Sequence, residues 1–222
     1  MPELPEVETV ARGLAQVWTG RRFASVLVRR DGLRRPFPRD LAARLTGRRV
    51  ESVGRRAKYL LVRLDGGLVM LGHLGMSGRM AIAPVPAPPP GPHDHVVWTT
   101  DAGVAVTFRD PRRFGLLDLV GDDGLAAHPL LAGLGPEPLD ESFDAALLAA
   151  RLAGKGGPVK TVLLDQTVVA GLGNIYVCES LYQAGIAPTR PAGGVRPPAG
   201  AALAGAVRDG LSPAVAARGS SR

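Results

Sequence analysis

Leu134-Gly135-Pro136-Glu137-Pro138-Leu139 divides this chain into two stretches of different character. Two prolines and a glycine in so short a run resist both helix and sheet, so the segment reads as a connector. After it, apolar residues recur at helical spacing, which predicts helices over residues 142–152, 160–169, 174–183 and 199–208. Before it the apolar runs are short and strand-like, at residues 23–28, 50–53, 59–64, 68–71, 95–100 and 104–109. Asp65-Gly66-Gly67 supplies a hairpin turn between two of them. A short helix is expected over residues 40–45, and the Pro-rich stretch 84–92 reads as a stiff exposed loop. At the N-terminus Val7, Val10, Ala11, Leu14, Val17 and Trp18 fall on one helical face, ended by Gly20. The fold class expected is therefore α+β: a β-rich part with an N-terminal helix, then an all-α part. The boundaries read as 1–133, a linker at 134–141, and 142–222.

The 222 residues leave room for one or two domains, and 45% hydrophobic residues mark a globular chain. The 27 basic against 20 acidic residues give a net charge of +7. That surplus favours a polyanion, nucleic acid or an anionic membrane surface, although a solvated Arg-rich surface fits the charge equally well. No apolar run approaches the roughly 18 residues of a membrane span. The N-terminus is acidic and Pro-rich, unlike a secretory signal. The single cysteine, Cys178, cannot form an internal disulfide, which fits a reducing cytoplasm, and it excludes a Cys-based zinc site built from this chain alone.

Several short motifs carry candidate chemistry. Removal of Met1 would expose Pro2 as a secondary amine, and an α-amino group with a pKa of about 7.7–8.0 is partly free base at neutral pH. Such an amine attacks an electrophilic carbon and gives an iminium, an electron sink, with Glu3 beside it as acid or base. The plainer reading is a proline that starts a helix. Arg55-Arg56-Ala57-Lys58 brings Lys58 to an apolar strand, for a phosphate, a proton transfer, or simply a charged strand end. Glycines flank Met76 in His73-Leu74-Gly75-Met76-Ser77-Gly78, which projects it as a wedge unless it folds back into the core. His93-Asp94-His95 places two imidazoles on one strand face without a third metal ligand, so a phosphate contact or exposure fits His93 better.

Asp110-Pro111-Arg112-Arg113-Phe114-Gly115 combines guanidinium forks for phosphates or base edges with an aromatic ring. A surface turn with Phe114 in the core is the alternative. Gly171-Leu172-Gly173-Asn174 precedes a helix, with Asn174 as N-cap and free N–H groups as an anion site that Lys155 and Lys160 also reach. The third glycine of a dinucleotide fingerprint is missing. Cys178 reads as a core residue.

Taken in order, Pro-Glu-Leu-Pro-Glu-Val-Glu-Thr at the start, Arg-Arg-Ala-Lys-Tyr-Leu, His-Leu-Gly-Met-Ser-Gly, His-Asp-His, Asp-Pro-Arg-Arg-Phe-Gly, Leu-Gly-Pro-Glu-Pro-Leu and Gly-Leu-Gly-Asn-Ile-Tyr closely resemble the formamidopyrimidine-DNA glycosylases. These are bacterial enzymes for 8-oxoguanine and ring-opened purines, and the likeness runs from Met1 to about Gly185. It implies an N-terminal β-sandwich with flanking helices, followed by a helix-two-turns-helix domain that is expected to be incomplete, C-terminally truncated, in this chain. It implies Pro2 as nucleophile, Glu3 as general acid/base and Lys58 as the assistant of β-elimination. Met76, Arg112 and Phe114 would fill the gap left by a flipped nucleotide, and His93, Arg112, Lys155, Lys160 and Asn174 would contact DNA. The implied partner is damaged double-stranded DNA, met by a monomer in the bacterial cytoplasm.

The family also carries one Zn²⁺ in a C-terminal hairpin of four cysteines. Nothing here matches that hairpin, so no cofactor is expected in this chain, whose last residues are Ala217-Arg-Gly-Ser-Ser-Arg222. With the chemical groups present and part of the DNA grip missing, weakened DNA binding and little cleavage are expected. Two rivals share the pattern: an endonuclease VIII-like enzyme for oxidised pyrimidines, and a relative that binds damaged DNA without cutting it.

Overall fold

The computed structural model describes residues 2–219, so Met1, with its expected removal, and residues 220–222 of the expected helical domain lie outside the described residues. The chain forms two compact units. The first comprises Pro2 and residues 7–128, the second residues 3–6 and 129–219.

The first unit is built on helix α1 (Leu4–Trp18) and two four-stranded antiparallel sheets. One sheet runs in the order β1 (Phe23–Val28), β6 (Asp94–Thr100), β7 (Val104–Arg109), β5 (Arg79–Pro84). The other runs β2 (Val50–Arg56), β3 (Tyr59–Leu64), β4 (Leu68–His73), β8 (Leu116–Gly121). Short helix α2 (Leu41–Leu45) packs beside β1.

Strand β3 shows why the sequence folds this way. Leu60, Val62 and Leu64 are buried while Tyr59, Leu61 and Arg63 are half-buried, the period of two that puts one face inward. Phe23, Trp98 and Phe108 from the first sheet meet Val62, Met70 and Leu117 from the second in one core, with Val7, Leu14 and Trp18 of α1 joining it. The Trp18 ring stands edge-on to Phe23 and Trp98, with centroids 5.1 and 5.5 Å away. Removing a side chain so enclosed costs about 3–5 kcal/mol.

The expected α+β class holds, with a β-sandwich ahead of a helical unit. Two strands escaped the sequence reading. β5 is an edge strand whose residues are mostly exposed, so its apolar pattern is weak. β8 buries Leu116 and Leu117 in succession and then leaves Asp118, Leu119 and Val120 half-buried, which obscures any alternation.

In the second unit, α3 (Ala145–Leu152) is capped by Asp144, whose Oδ1 accepts the Leu147 N–H at 2.7 Å. Three helices follow: α4 (Val159–Leu164), α5 (Asn174–Gln183) and α6 (Ala199–Gly219). Their core gathers Phe143, Leu148, Val159, Leu163, Val177 and Leu203 among others. α4 stops five residues earlier than its apolar pattern suggested. Asp165 Oδ1 accepts both the N–H and the hydroxyl of Thr167 (2.9 and 2.8 Å), a local turn that competes with the helix. α6 runs longer than expected because Leu203, Val207 and Leu211 continue one buried stripe at a spacing of four. The connector at 134–139 joins this unit, where the Gly135 N–H donates to Gln166 O and Pro136 O accepts from Ala170 N–H. Among the described residues no helix is long and apolar enough to cross a membrane.

Candidate active site

Pro2 is half-buried and precedes α1, which begins at Leu4, so it is not the helix-starting proline. Glu3, next in the chain, belongs to the second unit and is 2% exposed. Its Oε2 accepts the backbone N–H groups of Gly173 (2.9 Å) and Tyr176 (3.3 Å), and its Oε1 accepts that of Ile175 (2.9 Å). These N–H groups open α5, where the helix itself supplies no acceptor. The carboxylate thus caps the helix and meets the positive end of its dipole.

Two glycines make this approach possible. A Cβ on Gly171 would stand 2.6 Å from Leu4 Cδ1, and one on Gly173 would stand 2.6 Å from Glu3 Cγ. Leu4 N–H donates to Gly171 O at 3.1 Å, pinning the same turn. The sequence reading expected Asn174 as N-cap and open N–H groups for a phosphate. Instead Gly173 is the cap residue and Asn174 the first residue of the helix. The Asn174 side chain is exposed, with its Oδ1 3.8 Å from Cys178 Sγ. The anion site is real, and its anion is the protein's own carboxylate.

In the first unit, Lys58 lies in the two-residue turn between paired Arg56 and Tyr59, after Ala57 at φ 53. It is 5% exposed, so the charged-strand-end reading does not hold. His73 faces Tyr59 across β3 and β4, with ring centroids 5.0 Å apart. His73 Nδ1 accepts the Gly75 N–H at 3.0 Å. Burial, with help from the positive charges of Lys58 and Arg34, lowers the imidazole pKa to about 4. A neutral His73 therefore neighbours a buried lysine. His73 was not among the site residues expected from the sequence, where Met76 is the candidate in the same motif. Its position opposite the residue after Lys58 was the available signal.

Met76 and Phe114 are each 43% exposed, so neither is core filler. The Arg112 guanidinium lies 5.1 Å from the Phe114 ring centroid, a cation–π contact. The two loops that carry these residues meet. Gly75 has φ +61, and a Cβ there would lie 2.5 Å from Gly115 N and 2.7 Å from Phe114 O. Ser77 Oγ–H donates to Asp110 Oδ1 at 2.5 Å, and Gly115 N–H donates to Asp110 Oδ2 at 2.8 Å.

His93 and His95 do not share a strand face as expected. His93 is exposed just before β6, whereas His95 is buried with Nε2 2.8 Å from Asp110 O. A register irregularity between Asp94 and Val96 separates them. Between them Asp94 takes a two-pronged contact from Arg109, Nε to Oδ1 at 2.5 Å and Nη2 to Oδ2 at 2.9 Å. Arg109 holds the Asp94 carboxyl below the usual carboxylate range, against the opposing effect of burial.

In the second unit, Lys155 and Lys160 are half-exposed. Their backbones are tied to the segment before α6: Gly193 N–H donates to Lys155 O at 2.8 Å, and Lys160 N–H donates to Pro188 O at 3.2 Å. With one cysteine in the sequence, and no cluster of His, Cys, Asp or Glu among the described residues placed to hold a metal ion, the family's four-cysteine zinc site finds no matching donors here.

Comparison with known proteins extends these observations over the whole chain. Residues 1–117 match the family model of the formamidopyrimidine-DNA glycosylase N-terminal domain, and residues 134–222 match that of its H2TH domain. A formamidopyrimidine-DNA glycosylase of Rhodospirillum rubrum is 57% identical over 222 residues, covering 100% of this chain and 79% of the relative. Among solved structures, the Lactococcus lactis Fpg in complex with DNA containing N7-benzyl-Fapy-dG superposes with a TM-score of 0.89 at 33% identity, over 97% of this chain and 79% of that one. The same Lactococcus protein with DNA containing an oxidised pyrimidine gives a TM-score of 0.89 at 33% identity, over 97% and 80% of the two chains. A buried glutamate directly after Pro2, a buried lysine in a hairpin turn and an exposed Met, Arg and Phe on adjoining loops thus occur in a chain that belongs to the formamidopyrimidine-DNA glycosylase family.

Proposed function

We propose that this chain is a bifunctional DNA glycosylase and abasic-site lyase of base-excision repair, acting on oxidised purines such as 8-oxoguanine and formamidopyrimidines in double-stranded DNA. Residues 1–133 carry the chemistry, 134–141 connect, and 142–222 contribute the helix-two-turns-helix part of the DNA grip. The observation that carries the reading is Glu3: a buried carboxylate fixed by three backbone N–H groups, immediately after Pro2.

The reaction follows from the groups present. The damaged nucleotide leaves the stack so that its C1′ becomes reachable. Met76, Arg112 and Phe114 take the vacated space, while His93, Arg112, Lys155, Lys160 and Asn174 hold phosphates and base edges. The free amine of Pro2, with Met1 removed, attacks C1′. The glycosidic bond breaks, and the base leaves with the bonding electrons and a proton. Glu3 serves as acid and base at the sugar as its C1′–O4′ bond opens to the iminium. The iminium acidifies the 2′ hydrogen, and its loss expels the 3′ phosphate. Lys58 assists this β-elimination. No step is routed through a metal. Acting on genomic DNA, the protein works in the bacterial cytoplasm.

Borohydride trapping on an 8-oxoguanine duplex, read with intact mass, tests the proposal. A covalent adduct on protein lacking Met1 is expected, lost in Pro2→Glu, where the bulky second residue keeps Met1 in place and the amine away from C1′. Absence of any adduct would leave a damage-binding protein that does not cut. The oxidised-pyrimidine complex of the Lactococcus relative favours a second substrate class, so release of thymine glycol belongs in the same experiment.

A further inference from the structure

We propose that Ser77 and Asp110 form a positioning pair that latches the Met76 loop to the Arg112–Phe114 turn, so that the wedge is assembled before DNA arrives. The inference rests on the reading of Met76, Arg112 and Phe114 as gap-filling residues.

The Asp110 side chain is fully buried, at 0% exposure, and its two oxygens serve different loops. Oδ1 accepts the Ser77 hydroxyl at 2.5 Å, and Oδ2 accepts the Gly115 N–H at 2.8 Å. Ser77 is used twice: while its hydrogen goes to Asp110, its oxygen accepts the Arg112 N–H at 3.1 Å. Asp110 is itself held at its backbone, donating to His93 O at 3.0 Å and with its own carbonyl 2.8 Å from His95 Nε2. One hydroxyl, on the residue next to Met76, therefore ties that loop both to Asp110 and to the backbone of Arg112. Hydrogen bonds to an ionised acceptor are stronger than neutral ones, and in a water-poor setting they fix geometry as well as energy. A side chain inserted into a base stack must resist expulsion, so a pre-set loop loses less freedom on binding than a floppy one.

The test compares Ser77→Ala, Ser77→Thr and Asp110→Asn with Met76→Ala and Phe114→Ala. Single-turnover excision of 8-oxoguanine is measured opposite cytosine and opposite an abasic position, where no partner base needs support. Lyase cleavage of a preformed abasic site in single-stranded DNA and thermal melting complete the set. Ser77→Ala should slow excision opposite cytosine about tenfold, the size of one lost charge-assisted hydrogen bond. It should recover to within about twofold opposite the abasic position and leave single-strand cleavage unchanged, with Ser77→Thr close to the parent. Asp110→Asn, which keeps an oxygen for Gly115 but turns the other contact around, should follow Ser77→Ala and gives a second reading if the alanine variant folds poorly. Slowing on every substrate alike would mean a merely structural role and overturn the proposal. So would normal rates in both Ser77→Ala and Asp110→Asn beside slowed Met76→Ala and Phe114→Ala. Normal rates in Met76→Ala and Phe114→Ala would instead sink the wedge reading beneath it.

Discussion

Glu3 Oε1 accepts the backbone N–H of Ile175 at 2.9 Å, joining the start of the chain to the first turn of α5. With Gly173 and Tyr176 donating to the other oxygen, both carboxylate oxygens are in use. Glu3→Gln keeps the shape but offers one oxygen and turns an NH₂ toward a donor. It should destabilise the protein by about 1–3 kcal/mol in urea denaturation. It should also abolish the borohydride adduct, and unchanged stability would refute the capping role.

Gly173 has φ −130, which alanine adopts freely, so Gly173→Ala tests space alone. Its Cβ would fall 2.6 Å from Glu3 Cγ and displace the side chain. A loss of roughly 1–3 kcal/mol is expected. In a double-mutant cycle, Glu3→Ala should remove most of the alanine's penalty, because the clash is with that side chain. Additive losses would show that the strain lies elsewhere.

His73 should stay neutral well into acid. Its folded pKa of about 4 is below the ordinary 6.5, so the unfolded chain binds the proton more readily. Its contribution to stability is fully present above about 6.5 and is lost as pH falls toward 4. The span corresponds to on the order of 3 kcal/mol. Imidazole NMR shifts would follow the titration. Lys58→Met should raise the His73 pKa while leaving it below 6.5, because burial is the largest cause and the lysine charge the second. No change on removing Lys58 would refute their electrostatic contact.

Gly75→Ala should be worse than an ordinary loop substitution. The residue sits at φ +61, and the added Cβ would meet the backbone of Phe114 and Gly115, which cannot rotate away as a side chain can. The strained conformation alone costs about 1–3 kcal/mol. Thermal melting should fall accordingly, with excision from duplex DNA falling alongside, whereas a neutral outcome would mean that the two loops part easily.

The limits of β1, β3, β7 and α5 were legible because each is a bounded run with one dominant period. β5 and β8 were hidden by an exposed edge and by consecutive buried leucines. At the candidate site, the glycines at 171 and 173 did signal a close approach to an anion. What a linear reading misses is the partner, since Glu3 stands 170 residues from Gly173 and no local pattern links them. The roles of Ser77 and Asp110 were hidden for the same reason, as their hydrogen bond spans 33 residues.

Residues 3–6 belong to the second compact unit although the rest of α1 belongs to the first. This matters for anyone exchanging parts between relatives. A chimera cut near residue 129 would graft a new helical unit while leaving behind the carboxylate that finishes α5. A transplant that respects the fold has to carry four residues from the opposite end of the gene.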